Sequence, residues 1–490
     1  MNPDPNLHRA QLGLGDMDTE DFRLAAHGVV ERIASYLEKL ESYRVLPQLT
    51  PGQIRRQLPT TPPRSPEPLA VILDDYAGMI EPNITHWQHP GFLAYFSSVA
   101  SCPGILGEML AASLNSNVMF WRNAPASTEL EEVVVSWLRQ MVGLPDSFDG
   151  MFTDTASVSS LLSVVAARHV VHGLESRERG LSGRSDAPPL VMYCSAEAHS
   201  SIDKAAIVAG IGRQNVRRVA TDDRFRMRAD LLDDAIRLDR DSERQPFCVV
   251  ATLGTTSSTS IDPIAPIIEV CEKHELWLHI DAAYGGAMAL DPEQRGLFAG
   301  WERADSIVIN PHKWMFTPFD ASLLLFRRPE AFRDAFSLVP EYLRTRAGKG
   351  AHDYHEYGIQ LGRRFRALKM WILIRYFGAE GMAARVRHHC HLAREFAGWI
   401  DAAPDWERLA PVPMATVCFR YRPHGTPEKD VDRINEQILE RVNQSGRIYL
   451  SHTRLRDHYA IRVAVGNPRT EQRHLELCWE LLREATRAST

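Results

Sequence analysis

An α/β fold built on a mostly parallel sheet, covered by helices on both faces, is predicted by three observations. The segments Phe247–Leu253, Leu276–Asp281 and Ser306–Ile309 are nearly continuous apolar runs, the composition of strands buried on both faces. Between about residues 102 and 370 such runs alternate with helical segments, the pattern of a sheet wound through crossovers. A chain of 490 residues, 44% of them hydrophobic, has the material for a large core in more than one domain.

Taken in order, the chain first signals a helix from Asp18 and Thr19. A capping residue there precedes Phe22, Val29, Ile33, Leu37 and Leu40 at helical spacing. The proline-rich stretch Leu58–Pro68 reads as an extended connector. Gly173–Pro189, charged and punctuated by glycine, reads as a surface excursion, and the apolar run Leu190–Tyr193 follows it. Ser322–Phe326 is a further strand. From about residue 371 a long helix begins, and Thr416–Tyr421 and Tyr459–Ala464 read as strands of a smaller α+β domain. The expected organisation is therefore 1–101, 102–370 and 371–490. The loop Pro340–His352, polar and glycine-bearing, lies close after the Ser306–Ile309 strand and is expected to serve as a lid.

A net charge of −6 gives no general attraction to nucleic acid or to an anionic membrane. The seven cysteines are scattered without a Cys-x-x-Cys pair, which suits a reducing compartment. The first residues lack the apolar core of a signal peptide, and no run reaches membrane-spanning length. These features lead to the expectation of a soluble cytoplasmic protein.

Two strand ends carry the chemistry. Ser306–Ile309 is followed by Asn310-Pro311-His312-Lys313-Trp314, and proline cannot donate to a sheet ladder, so the strand should stop there. Lys313 is thereby expected at the carboxyl end of a strand, where open α/β sheets bind ligands. Beside Trp314, Met315 and Phe316 its amine can lose a proton near neutral pH and attack a carbonyl. Leu276–Asp281 delivers an aspartate at its own carboxyl end, 32 residues earlier. A lysine for a Schiff base and a carboxylate for a pyridinium nitrogen are what pyridoxal phosphate requires. At about 3 Å and an effective dielectric of about 20, such a carboxylate is worth roughly 5 kcal/mol to the protonated ring nitrogen. Ala283, two residues on, is small enough to let a ring lie flat. Gly150–Ser159, rich in small and hydroxylated residues, precedes the apolar helical run Leu161–Ala167, as a phosphate-holding helix start would.

The blocks Asn310–Trp314 and His279–Gly286 closely resemble the pyridoxal-phosphate decarboxylases of the aromatic-L-amino-acid decarboxylase type. So do Thr85–Phe92, Ala251–Thr256 and Leu361–Trp371, and the resemblance runs from about residue 20 to the end. It implies an aspartate aminotransferase-like fold with a large cofactor-binding domain, a smaller C-terminal domain and an N-terminal segment wrapped around a partner. It also implies a homodimer with its active site at the subunit interface. By the same resemblance Thr155, Ala156 and Ser157 hold the phosphate with help from Asn310 and His312, and Thr256 lies near the cofactor. His199 stacks on the ring and orients the substrate carboxylate, and Tyr342 donates a proton after carbon dioxide leaves. Trp87, Tyr95, Phe96, Ser98 and Gly362 match the substrate pocket, whose aromatic wall favours a flat side chain. Asn117 and Met119 depart from the animal enzymes, which leaves open the choice among tryptophan, tyrosine, dihydroxyphenylalanine and phenylalanine.

The expected reaction is decarboxylation of an aromatic L-amino acid to its amine. An aldehyde synthase is the nearest alternative, disfavoured because both His199 and Tyr342 are present. A decarboxylase of histidine or glutamate and a non-catalytic protein on the same fold are further alternatives. So is a metal hydrolase using His279, Asp281 and His312 as ligands, a reading that leaves Lys313 idle.

Overall fold

The computed structural model describes residues 11, 13, 15–338 and 352–487. Contacts divide the chain into two compact units. One gathers the described residues up to Leu93 with Glu436–Leu450 and the chain from Arg469; the other comprises Ala94–Asn435 and Ser451–Pro468.

Within the first unit the helix Thr19–Glu38 starts where its cap predicts: the Asp18 carboxylate accepts the Glu20 N–H at 2.8 Å. The segment Leu58–Pro68 has no regular structure, because its prolines lack the N–H groups a helix or ladder needs.

The second unit holds both sheets. Seven strands, β1 (Asp149–Thr153), β2 (Leu190–Ser195), β3 (Val216–Val219), β4 (Gln245–Thr252), β5 (Trp277–Asp281), β6 (Ser306–Ile309) and β7 (Ser322–Phe326), lie in the order β1-β7-β6-β5-β4-β2-β3. β2 to β6 run parallel to one another, and β7 is antiparallel to both β6 and β1. Every residue of β2, β5, β6 and β7 is buried, so both faces of the sheet are covered and a continuous apolar run is what such strands require. A second sheet, β8 (Trp406–Arg408), β9 (Thr416–Tyr421), β10 (Ser451–Leu455) and β11 (His458–Ala464), is antiparallel throughout in the order β10-β11-β9-β8.

The long helix covers Arg366–Ala402, interrupted at Gly378, whose φ of 68° is open to glycine at little cost. One expectation needs correcting in detail. Pro311 does not merely end β6. It opens a one-turn helix, Pro311–Trp314, where its missing N–H costs nothing, and that turn carries Lys313.

Candidate active site

Because β2, β4, β5 and β6 are parallel, their carboxyl ends fall on one side of the sheet, and the residues just beyond them meet. They line a cavity of about 220 Å³. Its wall contains Phe96, Thr155, Ala156, Ser157, His199, Thr256, Asp281, Ala283, Asn310, His312 and Lys313, all singled out from the sequence. Two glycines close the packing behind it. A Cβ on Gly285 would stand 2.3 Å from the Leu253 carbonyl oxygen, and one on Gly286 2.6 Å from Ile309 Cγ1.

Asp281 is the last residue of β5, and its Oδ1 accepts the Ala283 N–H at 3.1 Å. Ala283 lies beyond the strand end, so it reaches the cavity through this turn and not by strand alternation. Lys313 keeps only partial exposure. Burial pushes its ammonium pKa down, Asp281 opposes the shift and Arg462 adds to it, so the amine loses its proton more readily.

His199 Nδ1 accepts the Ser201 N–H at 3.1 Å and lies 2.8 Å from Ser201 Oγ, which places the proton of the neutral ring on Nε2. Burial lowers the pKa of this ring. His312 Nδ1 accepts the Ala321 N–H at 3.0 Å, and burial with the Lys313 charge takes its pKa down to about 3, so it too is a neutral Nε2–H donor.

The residues present fit pyridoxal phosphate at both ends. Thr155 caps the helix Ala156–His169 without a side-chain bond to it, and among the described hydrogen bonds the N–H groups of Ala156 and Ser157 have no protein partner. Asn310 Oδ1 and Thr252 Oγ1 are likewise buried without one. A phosphate at this helix start would meet the Ala156 and Ser157 N–H groups, donors left open by the fold. At the other end stand a carboxylate and a primary amine.

An aromatic stack supports the amine. Phe96 stacks on Tyr284 with centroids 3.8 Å apart, and Tyr284 on Trp314 at 4.7 Å. Trp314 Nε1 donates to His389 Nδ1 at 2.9 Å, anchoring the residue after Lys313 to the long helix. Lys313 Nζ lies 5.4 Å from the Phe96 centroid.

The other expected substrate residues are not part of this cavity wall. Trp87 belongs to the first unit and packs on Phe92 at 4.4 Å. Tyr95 is exposed, and its N–H donates to Ser451 Oγ at 3.1 Å. Ser98 Oγ donates to the His312 carbonyl at 2.7 Å. A Cβ on Gly362 would have only the Asn117 amide within 4 Å. Tyr342 lies outside the described residues. The metal-ligand set fares poorly. Both ring nitrogens of His279 meet serine hydroxyls, and among the described residues no group of three His, Cys, Asp or Glu is placed to hold a metal ion.

Sequence reasoning missed Ser201, Thr252, Gly254 and Tyr284, all in the cavity wall. The strand-end rule that found Asp281 points equally to Thr252. It also missed Arg462. This guanidinium lies 4.5 Å over the Phe96 ring and donates to the Tyr95 and Ser257 carbonyls. It sits on β11, far away in sequence, and only packing brings it here.

Residues 51–422 match the model of the pyridoxal-dependent decarboxylase conserved domain. The chain is 38% identical over 481 residues to a phenylacetaldehyde synthase of Arabidopsis thaliana, covering 96% of this chain and 97% of that one. It is also 38% identical to tyrosine decarboxylase 3 of Petroselinum crispum, covering 98% and 94%. Its structure superposes on tryptophan decarboxylase of Catharanthus roseus in complex with L-tryptophan with a TM-score of 0.91, at 33% identity, covering 97% of this chain and all of that one. The protein therefore has the aspartate aminotransferase-like fold of the pyridoxal-phosphate enzymes. It belongs to the pyridoxal-dependent decarboxylase family, and pyridoxal 5'-phosphate is its cofactor.

Proposed function

We propose that this protein removes the carboxylate of an aromatic L-amino acid as carbon dioxide and releases the amine. The observation that carries the proposal is the pairing of Lys313 with Asp281 in one cavity, in a chain similar along its whole length to enzymes named for tyrosine and tryptophan. Bound there, pyridoxal phosphate supplies a sink for the electron pair left when the bond from Cα to the carboxylate breaks.

The chain's own residues do the rest. Thr155, Ala156 and Ser157 hold the phosphate at a helix start, with Asn310 and the Nε2–H of His312 beside it. Asp281 holds a proton at the ring nitrogen, and Lys313 carries the cofactor between turnovers. Ala283 and Thr256 leave room along the ring. His199 packs against it and presents Nε2–H to the substrate carboxylate. Phe96 gives the cavity its aromatic wall for the substrate side chain, with Tyr95, Ser98 and Gly362 of the same unit as further substrate residues, and Tyr342 returns a proton to Cα.

The working unit is a homodimer with its sites at the subunit interface. Two features support this. The helix Cys102–Leu114 exposes Leu106, Met109, Leu110 and Leu114 along one face, and no residue of the helix Thr19–Glu38 is buried within the chain. Among the described residues no helix is long and apolar enough to cross a membrane, in keeping with a cytoplasmic enzyme. Sedimentation equilibrium tests the assembly, and a fully active monomer would overturn it.

A second reading, aldehyde synthesis, is favoured by the phenylacetaldehyde synthase relative. Product analysis with tryptophan, tyrosine, dihydroxyphenylalanine, phenylalanine and glutamate decides. Amine and carbon dioxide in equal amounts from an aromatic substrate are expected. Aldehyde as the main product would favour the second reading, and faster turnover of glutamate would overturn the aromatic assignment.

A further inference from the structure

His279 has no part in the reaction as described, yet it is fully buried and both its ring nitrogens are engaged. Nδ1 lies 2.9 Å from Ser306 Oγ on β6, and Nε2 lies 3.1 Å from Ser160 Oγ on the helix Ala156–His169. Ser306 Oγ also accepts the Trp277 Nε1–H at 2.9 Å. Burial takes the ring pKa down to about 4 against the pull of Asp281, so the imidazole is neutral at working pH. Its partners are hydroxyls, which donate or accept as required, so either tautomer satisfies both nitrogens.

The position of this ring gives it a role. His279 stands two residues before Asp281 on β5, so the two side chains share one face of the strand. Ser160 stands one turn beyond Ser157, on the helix whose start meets the phosphate. That helix buries Ser159, Ser160, Leu162 and Ser163 against its surroundings. Its apolar contacts are non-directional and tolerate sliding, whereas hydrogen bonds fix register. Ser159 Oγ bonds Thr153 Oγ1 at 2.7 Å and Ser322 Oγ at 3.1 Å, tying the helix to β1 and β7. The bond from His279 ties it to β5.

We propose that His279 is a positioning residue that sets the spacing between Asp281 and the Thr155–Ser157 turn, so that the ring nitrogen and the phosphate of one rigid cofactor are met together. The inference rests on the phosphate lying at that turn, as proposed above. Groups that must act in one geometry are sensitive to displacements well under the length of a bond to substrate.

The test measures the affinity of apoenzyme for pyridoxal phosphate and for pyridoxal, which lacks the phosphate, by quenching of tryptophan fluorescence. His279→Leu should weaken pyridoxal phosphate binding about tenfold, the scale of one buried hydrogen bond, and leave pyridoxal within about twofold. His279→Gln, whose amide reaches Ser160, should restore most of the affinity. Ser160→Ala should show the same selective loss, and combining it with His279→Leu should add little further. Ser160→Ala alone carries the test should His279→Leu fail to fold. Unchanged affinity for pyridoxal phosphate, equal losses for both compounds, or additive losses would each overturn the proposal. Ser157→Asp places a negative charge at the turn and separates the two readings. Intact binding of pyridoxal phosphate by Ser157→Asp would move the phosphate elsewhere and remove the premise. Loss in Ser157→Asp with normal binding in the His279 and Ser160 variants would remove this inference alone.

Discussion

Arg363 and Glu131 form an ion pair buried on both sides, with side chains 4% and 0% exposed. Arg363 also donates to the Val118 and Phe152 carbonyls at 2.9 and 2.8 Å, and Glu131 accepts the Phe152 N–H at 2.9 Å. This arginine is thus occupied in joining Leu361–Trp371 to β1 and to the helix Pro125–Met141, and its charge is not available to a substrate carboxylate. Arg363→Met should lower stability by about 3–5 kcal/mol, because it strands a buried carboxylate. Adding Glu131→Leu should recover much of the loss. Denaturant melts of wild type and the two variants check this, and equal stabilities of wild type and Arg363→Met would rule out the pair as a structural tie.

Lys313→Ala should reduce turnover to background and remove the visible absorbance band of the bound cofactor, while the melting curve stays close to wild type. The lysine is partly exposed at the cavity, and the fold gains little from its charge. Spectra of both proteins after incubation with pyridoxal phosphate decide the matter. A normal band in Lys313→Ala would mean that a different amine carries the cofactor.

Legibility followed burial. β4 to β7 are apolar because both faces are covered, and Ser306–Ile309 and Ser322–Phe326 are strands with the bounds their composition suggests. β1, which contains Gly150, hides just ahead of the Thr155–Ser157 turn, and its identity depends on pairing with β7. β3 is an edge strand carrying Arg217 and Arg218, so its composition resembles a loop; Arg217 is held by Asp239 at 2.7 Å. In the site, Asp281 and Lys313 were legible because strand ends and residue chemistry agree. Arg462 was not, because a charge in a strand reads as solvent-facing until packing shows an aromatic ring beneath it.

Stability should fall as the pH drops from about 6.5. Burial holds His312 and His389 at about 3 and His279 at about 4, while the unfolded chain protonates near 6.5. Between these values the unfolded state binds more protons, so stability rises with pH and is lost on acidification. Asp262 works the other way. Burial raises it to about 7, so the folded state binds the extra proton between about 4 and 7. Burial lowers His86, His89, His169, His199 and His474 as well, and raises Glu132, Glu197 and Asp305 as it does Asp262. Eight depressed histidines thus face four raised carboxyl groups, and the net slope should be positive. Melting temperatures between pH 4 and 7 measure it. His389→Asn, which keeps an acceptor for Trp314, should flatten the slope, and a flat wild-type profile would contradict the account.

Tyr342→Phe tests the proton donor. The substitution removes only a hydroxyl, so cofactor binding and carbon dioxide release should persist. Proton return to Cα should then fail, and a positioned acid of this kind contributes about a hundredfold or more. Amine formation should fall by about that factor. Dioxygen can take the electrons in its place, giving aldehyde, ammonia and hydrogen peroxide with one oxygen consumed for each carbon dioxide released. Oxygen uptake, peroxide and amine measured on the same sample separate the outcomes. Wild-type amine yield without oxygen uptake would remove Tyr342 from the reaction and turn attention to the Nε2–H of His199, which lies in the cavity wall.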